Sequence, residues 1–241
     1  MAAPRGAIYR AACCVATAAA ASFAGVAAPA HADTDITAYP GMEIRQGATV
    51  CTLGMVETTL RIAVATGQCD GGSIATDNRG NVLGSVMSAR HGNASPAVDG
   101  SAPDVQYEVI RLDDAVKASD VLPTGRQLQS APGVLAQAGA SVCHFGIATG
   151  QSCGRVTSVS NSRFTLAGIA VDPRDIGGPV YTVNDENRAV IVGVFEGVTG
   201  SLPTAESWQA VMQQLFIDGR SPGQAQPPPT VRIAGWRTKT N

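Results

Sequence analysis

The chain turns sharply at Asp175-Ile176-Gly177-Gly178-Pro179-Val180. Two consecutive glycines give the backbone the freedom that a tight turn requires, and the proline and valine that follow are typical of the start of a strand. The stretch therefore predicts a turn that leads into a β-strand. The residue before the two glycines, Ile176, brings only a hydrocarbon side chain to this turn.

Short apolar or alternating runs recur about every ten residues from Glu43 to Val198, separated by Gly, Asn, Asp and Pro. This spacing is typical of an all-β barrel or sandwich. Strands are predicted at 48–56, 60–65, 72–76, 82–88, 105–112, 141–145, 154–160, 163–170, 179–183 and 189–198.

The period changes near the C-terminus. Apolar residues follow helical spacing from Trp208 to Phe216, so a helix is predicted over 204–218 with Thr204 as its N-cap. Residues 219–241 contain Pro227-Pro228-Pro229 and little material for a core. They are predicted to form an extended or disordered basic tail.

Residues 1–32 are predicted to be a signal peptide. Arg5 and Arg10 precede a run of small apolar residues, and Ala30-His31-Ala32 fits the cleavage pattern before Asp33. A short transmembrane anchor is the alternative. Cleavage between Ala32 and Asp33 would secrete the protein or leave it in the cell envelope, with no integral membrane segment.

The charge balance argues against a nucleic-acid partner. Residues 33–218 carry 11 basic and 19 acidic side chains, whereas residues 219–241 carry four basic and no acidic ones. Nucleic-acid binding proteins usually present a basic face. The acidic body of this chain lacks that feature.

Four cysteines remain after the signal peptide: Cys51, Cys69, Cys143 and Cys153. An even number in an exported chain favours disulfides, and their order suggests Cys51–Cys69 and Cys143–Cys153, although three pairings are possible. No CxxC pair is present, and the mature chain has only two histidines, His91 and His144. No metal or other cofactor is therefore predicted.

Several short motifs occur in the order found in one family. They are Cys51-Thr52-Leu53-Gly54, Ala65-Thr66-Gly67-Gln68-Cys69, the hairpin at 143–154 with the pattern Cys-x-x-Gly-x-x-Thr-Gly-x-x-Cys-Gly, Gly177-Gly178-Pro179-Val180, and Val192-Gly193-Val194-Phe195-Glu196-Gly197. Together they resemble the secreted bacterial chymotrypsin-like serine peptidases of the streptogrisin and α-lytic type. The resemblance covers about residues 41–217. It implies two six-stranded antiparallel β-barrels, at 33–115 and 116–203, with an active cleft between them and a C-terminal helix.

The resemblance also implies that the catalytic residues are substituted. Such enzymes need a hydroxyl nucleophile, an imidazole base and a carboxylate. The corresponding positions hold Ile176, Gln68 and Gln106, although a shifted register would place Asp104 at the carboxylate position. Arg174 takes the place of the oxyanion-hole glycine, where we expect it to turn the peptide or to fill the cleft.

Three further positions bear on the same site. Glu196 replaces a serine that supports the family's aspartate, and it is either a solvated strand residue or a second carboxylate in the site. Asp175 is retained. In the family it anchors the mature N-terminus, but here it could simply cap the turn. His91 and His144 are interpreted as a surface-loop and a structural histidine, not as parts of a rebuilt site.

The sequence thus predicts a catalytically inactive peptidase homologue, with no catalytic residue in place. Three roles remain open at this stage. The protein could bind a peptide or protein in the cleft between the barrels or at the edge of strand 192–198. It could be an active secreted peptidase with an unrecognised site, or an envelope protein attached through its basic tail. The oligomeric state is not indicated.

Overall fold

The computed structural model describes residues 36–69, 71–91, 105–160 and 162–219. Four predicted features lie outside these ranges: the signal peptide, its cleavage site at Ala32 and Asp33, the alternative carboxylate Asp104, and the tail from residue 220 onward. Interpretations of those residues stay predictions.

The first half of the chain forms a curled antiparallel sheet of seven short strands. These are β2 (Glu43–Gln46), β3 (Thr49–Thr52), β4 (Met55–Glu57), β5 (Ile62–Ala65), β6 (Ile74–Thr76), β7 (Val82–Arg90) and β8 (Tyr107–Leu112), in the order β3-β2-β6-β7-β8-β5-β4. The two end strands, β3 and β4, are separated in the chain by only Leu53 and Gly54. The sheet therefore curls back on the segment where it began.

The second half forms a closed six-stranded barrel. Its strands are β11 (Ser141–Gly146), β12 (Gly150–Ser160), β13 (Arg163–Ala167), β14 (Pro179–Val183), β15 (Ala189–Thr199) and β16 (Leu202–Ser207). They pair in the order β15-β14-β11-β12-β13-β16, and β16 pairs again with β15 to close the ring. The short strand β10 (Leu128–Gln129) adds to β15, while β1 (Thr37–Ala38) pairs with β9 (Lys117–Ala118).

Apolar side chains form three buried clusters. One lies inside the first sheet around Ile44, Leu53 and Leu83, and another lies inside the second barrel around Phe164 and Leu166. The third is shared by both halves, because it joins residues such as Met55 and Val64 of the first sheet to Tyr181 and Ile191 of the second. This shared cluster fixes the two sheets against each other.

The prediction of an all-β fold with a C-terminal helix is confirmed, but the helix is shorter than predicted. Helix α1 spans Trp208–Asp218, with Ser207 at its N-cap. Thr204, predicted as the N-cap, belongs instead to β16, where it pairs with Thr165 on one side and Gly197 on the other. Strand pairing on both edges holds these residues more firmly than one additional helical turn would.

Both predicted disulfides are present. Cys51–Cys69 lies in the first half and Cys143–Cys153 in the second. Each therefore crosslinks residues close in the chain and within one sheet region. Among the described residues, none of the helices is long and apolar enough to cross a membrane.

Candidate functional site

The turn at 175–178 lies between the two halves of the fold. Thr52 of β3 donates its backbone N–H to the carbonyl of Ile176 at 2.8 Å, and its hydroxyl donates to the carbonyl of Arg174 at 2.9 Å. Gly177 has φ of +92°, and a Cβ there would lie 2.3 Å from the carbonyl oxygen of Thr52. A Cβ on Gly178 would lie 2.4 Å from the carbonyl oxygen of Phe145. Both glycines are required by close backbone packing.

Just before the turn, a short 3₁₀ helix (Pro173–Asp175) has a reciprocal capping box, in which Asp172 and Asp175 each accept a backbone N–H of the segment. The Asp172 carboxylate accepts the N–H of Arg174 at 3.0 Å, and the Asp175 carboxylate accepts the N–H of Asp172 at 3.1 Å. Pro173 stands at the first helical position, where a missing N–H costs nothing. This reciprocal capping fixes the directions of the N–H groups of Asp172 and Arg174.

The capping decides where the N–H groups of the turn point. In chymotrypsin-like catalysis the oxyanion is held by two backbone N–H groups, those of the nucleophile and of the residue two positions earlier. Here the N–H of Ile176 donates to the Pro173 carbonyl at 3.4 Å, and the N–H of Arg174 donates to Asp172. Both donors are thus directed to acceptors inside the segment.

Arg174 was expected either to turn the peptide or to fill the cleft, and its N–H donates to Asp172 within the segment. Its guanidinium does not fill the cleft. The side chain is 61% exposed, and its Nε donates to Asp172 at 3.0 Å. The N–H and guanidinium of Arg174 hold the pKa of Asp172 below its usual range.

Ile176 packs as a core residue. Its half-buried side chain contacts the buried clusters of both halves, and its Cδ1 lies against Gly197 of β15. Beside it is a cavity of about 270 Å³ lined by Val171, Pro173, Phe195 and Val198, among others. The turn therefore presents a hydrocarbon and a small, largely apolar pocket.

Gln68 faces the same segment of β15 from the first half. It is exposed, it lies in a 3₁₀ turn (Gly67–Cys69), and its Nε2 donates to the carbonyl of Glu196 at 3.2 Å. A carboxamide has no basic nitrogen near neutral pH, so it cannot take a proton from a hydroxyl.

Gln106 reaches the site through its backbone. Its N–H donates to Glu206 Oε2 at 3.3 Å, and Arg163 lies against the carboxyl groups of both Glu206 and Glu196. Gln68 and Ile176 therefore both contact residues 196–197, whereas Gln106 contacts Glu206 on the neighbouring strand β16. Asp104 lies outside the described residues, so the choice of register between it and Gln106 stays open.

Glu196 is not a solvated strand residue, which corrects one of its two interpretations. Its side chain is only 6% exposed, and Arg163 Nε lies 2.9 Å from Glu196 Oε2 and 3.5 Å from Glu206 Oε2. Glu206 is completely buried. Its burial, together with the neighbouring carboxyl group of Glu196, raises the pKa of Glu206 to about 8.

Asp175 acts as the buried cap of the turn. Its carboxylate accepts the N–H of Ala148 at 2.8 Å and the hydroxyl of Thr149 at 2.7 Å, besides the N–H of Asp172. These bonds tie the turn to the hairpin that carries the second disulfide. Asp175 therefore serves local structure among the described residues.

The two histidines lie apart from one another. His144 is fully buried against the ring of Phe195, at a centroid distance of 4.6 Å, and burial lowers the pKa of His144 to about 4 against the opposing pull of the Asp175 carboxylate. His91 is exposed, and its Nδ1 lies 2.9 Å from the carbonyl oxygen of Gly67. His144 is not hydrogen-bonded to a serine hydroxyl among the described residues.

Within the described ranges, no three histidine, cysteine, aspartate or glutamate side chains are grouped so that they could hold a metal ion.

Comparison of the coordinates with solved structures identifies the fold. A glutamic-acid-specific serine protease superimposes with a TM-score of 0.54 and 17% identity, covering 76% of this chain and 98% of that chain. Cellulomonas bogoriensis chymotrypsin superimposes with a TM-score of 0.52 and 21% identity, covering 74% of this chain and 95% of that chain. The chain therefore has the chymotrypsin-like fold of bacterial serine proteases.

Sequence comparison identifies a much nearer relative. The uncharacterized protein Rv1815 of Mycobacterium tuberculosis (strain ATCC 25618 / H37Rv) is 43% identical over 193 residues, which cover 79% of this chain and 87% of the relative. The chain belongs to the Rv1815 family. No family model matches it.

For this member of the Rv1815 family, sequence reasoning missed three residues of the site. Asp172 had a usable signal, because an aspartate followed by proline is a common start of a helical turn. No local sequence pattern indicated Arg163 or Glu206, because these residues meet Glu196 only when β13, β15 and β16 close the second barrel.

Proposed function

We propose that this protein is an exported pseudoprotease, a catalytically inactive peptidase homologue that binds a peptide or protein in the cleft between its two halves. The main support for inactivity is that the N–H groups of Arg174 and Ile176 both donate hydrogen bonds within the turn. A hydrocarbon at Ile176 and an amide at Gln68 remove the nucleophile and the base as well. The protein would thus lack both the triad and the oxyanion hole. In enzymes that lose only the triad, the oxyanion hole and substrate binding still accelerate the reaction ~10³–10⁴-fold over water.

The binding role rests on β15. Its pairing with β14 ends at Val194, and the backbone of Phe195 then bonds to Gly177 and Gly178. Among the described residues, no strand pairs with Gly197–Thr199 on that side. An extended peptide could add to this edge and place one apolar side chain in the neighbouring 270 Å³ pocket. The two disulfides are consistent with an exported protein.

Inactivity is tested with a fluorophosphonate probe and ester turnover. Wild type and Ile176→Ser should both stay unlabelled, since Gln68 cannot act as the base. Only a combined change of Gln68→His, Gln106→Asp, Arg174→Gly and Ile176→Ser is expected to restore measurable turnover. Specific labelling of the wild type would instead support an active peptidase with a rebuilt site.

Peptide binding is tested with a library of fluorescent acetylated tetrapeptide amides that differ in their apolar residue. Val171→Trp should fill the pocket and abolish the anisotropy change. Val183→Trp is the matched control, because Val183 has similar exposure, 42% against 37%, but lies outside this pocket. Equal binding by both variants would place the peptide elsewhere.

A further inference from the structure

A second, larger apolar groove lies away from the cleft. It has a volume of about 590 Å³ and lies between helix α1 and the outer face of β5, β7 and β8. Its apolar walls include Leu60, Ile62, Met87, Val109, Met212 and Leu215. Leu60, Met87 and Met212 are 68%, 57% and 44% exposed. A contiguous exposed patch of this kind usually marks a surface that is covered by something.

The end of helix α1 is fixed beside this groove. The Tyr107 hydroxyl donates to Asp218 Oδ2 at 2.6 Å, and Gln214 Nε2 donates to Asp218 Oδ1 at 2.8 Å. Gly219, the next residue, itself lines the groove. The remaining 22 residues of the chain, 220–241, therefore start at the groove.

Those residues contain one apolar cluster, Val231-Arg232-Ile233-Ala234-Gly235-Trp236. In an extended chain Val231 and Ile233 would point to the same side, so both could enter a groove together. Val231 is twelve positions beyond Gly219, a reach of up to ~40 Å. Helix α1, with 11 residues, is only ~16 Å long. The cluster can therefore reach any point along the groove.

We propose that Val231–Trp236 docks in this groove, so that the basic tail is held along helix α1 against the first sheet. Because the segment is covalently linked to helix α1, its effective concentration at the groove is about millimolar, the value for a short flexible linker. A separate partner of equal affinity would have to be present above that concentration to displace it. Docking covers the exposed methionines and, in an extended chain, leaves Arg232 directed to solvent. Gly235, which has no Cβ, allows the backbone to turn so that Trp236 also reaches the groove.

The test uses 19F NMR on the full exported chain labelled with 5-fluorotryptophan. The chain has two tryptophans, Trp208 and Trp236, and Trp236→Phe assigns the second signal. We expect the Trp236 signal to be shifted from its position in the urea-unfolded chain and protected from a soluble gadolinium chelate. Met87→Asp and Met212→Asp, on opposite walls, should each abolish the shift and the protection.

Val159→Asp is the matched control. Val159 is an apolar residue with 48% exposure on β12 of the second barrel, and this substitution should leave the Trp236 signal unchanged. An unshifted, fully accessible Trp236 in the wild type would overturn the proposal. A Trp236 shift that disappears on dilution would also overturn it, because dilution separates two copies of the chain but does not affect docking within one chain.

Discussion

At the scale of single residues, the least ordinary feature is one guanidinium shared by two buried carboxyl groups. Arg163 lies within 3.5 Å of an oxygen of both Glu196 and Glu206. Two carboxylates beside one cation would leave a net negative charge in a buried site, which is costly. The site avoids this charge by keeping a proton on Glu206 at neutral pH.

The retained proton makes folding stability depend on pH. The pKa of Glu206 is raised to about 8 from an ordinary value of 4.5, so the folded chain holds a proton that the unfolded chain releases. This contribution is fully present below about pH 4.5 and is lost as the pH rises to about 8. Glu206→Gln should remove this decline. Urea unfolding midpoints measured from about pH 5 to about pH 9 test it.

Glu186→Gln is the control, because the Glu186 side chain is 68% exposed in a surface ion pair with Arg188. It should keep the slope of the wild type. His144 acts in the opposite sense: its depressed pKa of about 4 means that its contribution is lost as the pH falls from about 6.5 towards 4. The decline due to Glu206 is therefore clearest above pH 6.5. An unchanged slope in Glu206→Gln would show that the pair does not hold the proton.

At the scale of elements, the capped 3₁₀ turn controls the site. Asp172→Ala removes the acceptor of the Arg174 N–H and should lower the urea midpoint, because a capping bond is lost. It should not create esterase activity, since Gln68 and Ile176 remain. Asp185→Ala, in an exposed turn, is the control and should leave the midpoint nearly unchanged. Equal midpoints in the two variants would show that the cap contributes little.

Much of the element pattern could be predicted from the sequence, because Gly, Asn, Asp and Pro separate the apolar runs. Some strands, such as Ser141–Gly146 and Arg163–Ala167, also alternate buried and more exposed residues. Residues 204–207 could not be assigned correctly, because local spacing favours a helix and only the distant β13 and β15 reveal the strand. The burial of Glu196 has the same cause: its partners arrive from other strands.

At the scale of the whole molecule, each half carries one disulfide. The bonded cysteines are 18 and 10 residues apart in the chain. In the chain-entropy model a loop of 15 residues stabilises by about 3 kcal/mol, and longer loops by more. Replacing Cys51 and Cys69 by alanine should therefore cost about 3 kcal/mol in the free energy of unfolding, and replacing Cys143 and Cys153 somewhat less. Urea denaturation of the two double variants tests this order.

The start of the mature chain is also a prediction for the whole molecule. The exported protein should begin at Asp33, because Ala30-His31-Ala32 ends the apolar run. Intact-mass measurement on protein recovered from the culture medium or envelope tests it. Retention of Met1, or a lipid on Cys13, would contradict secretion through a cleaved signal peptide.

The reciprocal caps at Asp172 and Asp175 also bear on how such a protein can evolve. A serine regained at position 176 would find its own N–H and that of Arg174 already engaged, and no imidazole at position 68. No single step back towards an enzyme would therefore bring activity on which selection could act. Under the proposed function, the loss of catalysis is therefore hard to reverse by single substitutions. Selection can still act step by step on the surfaces that bind a peptide or protein.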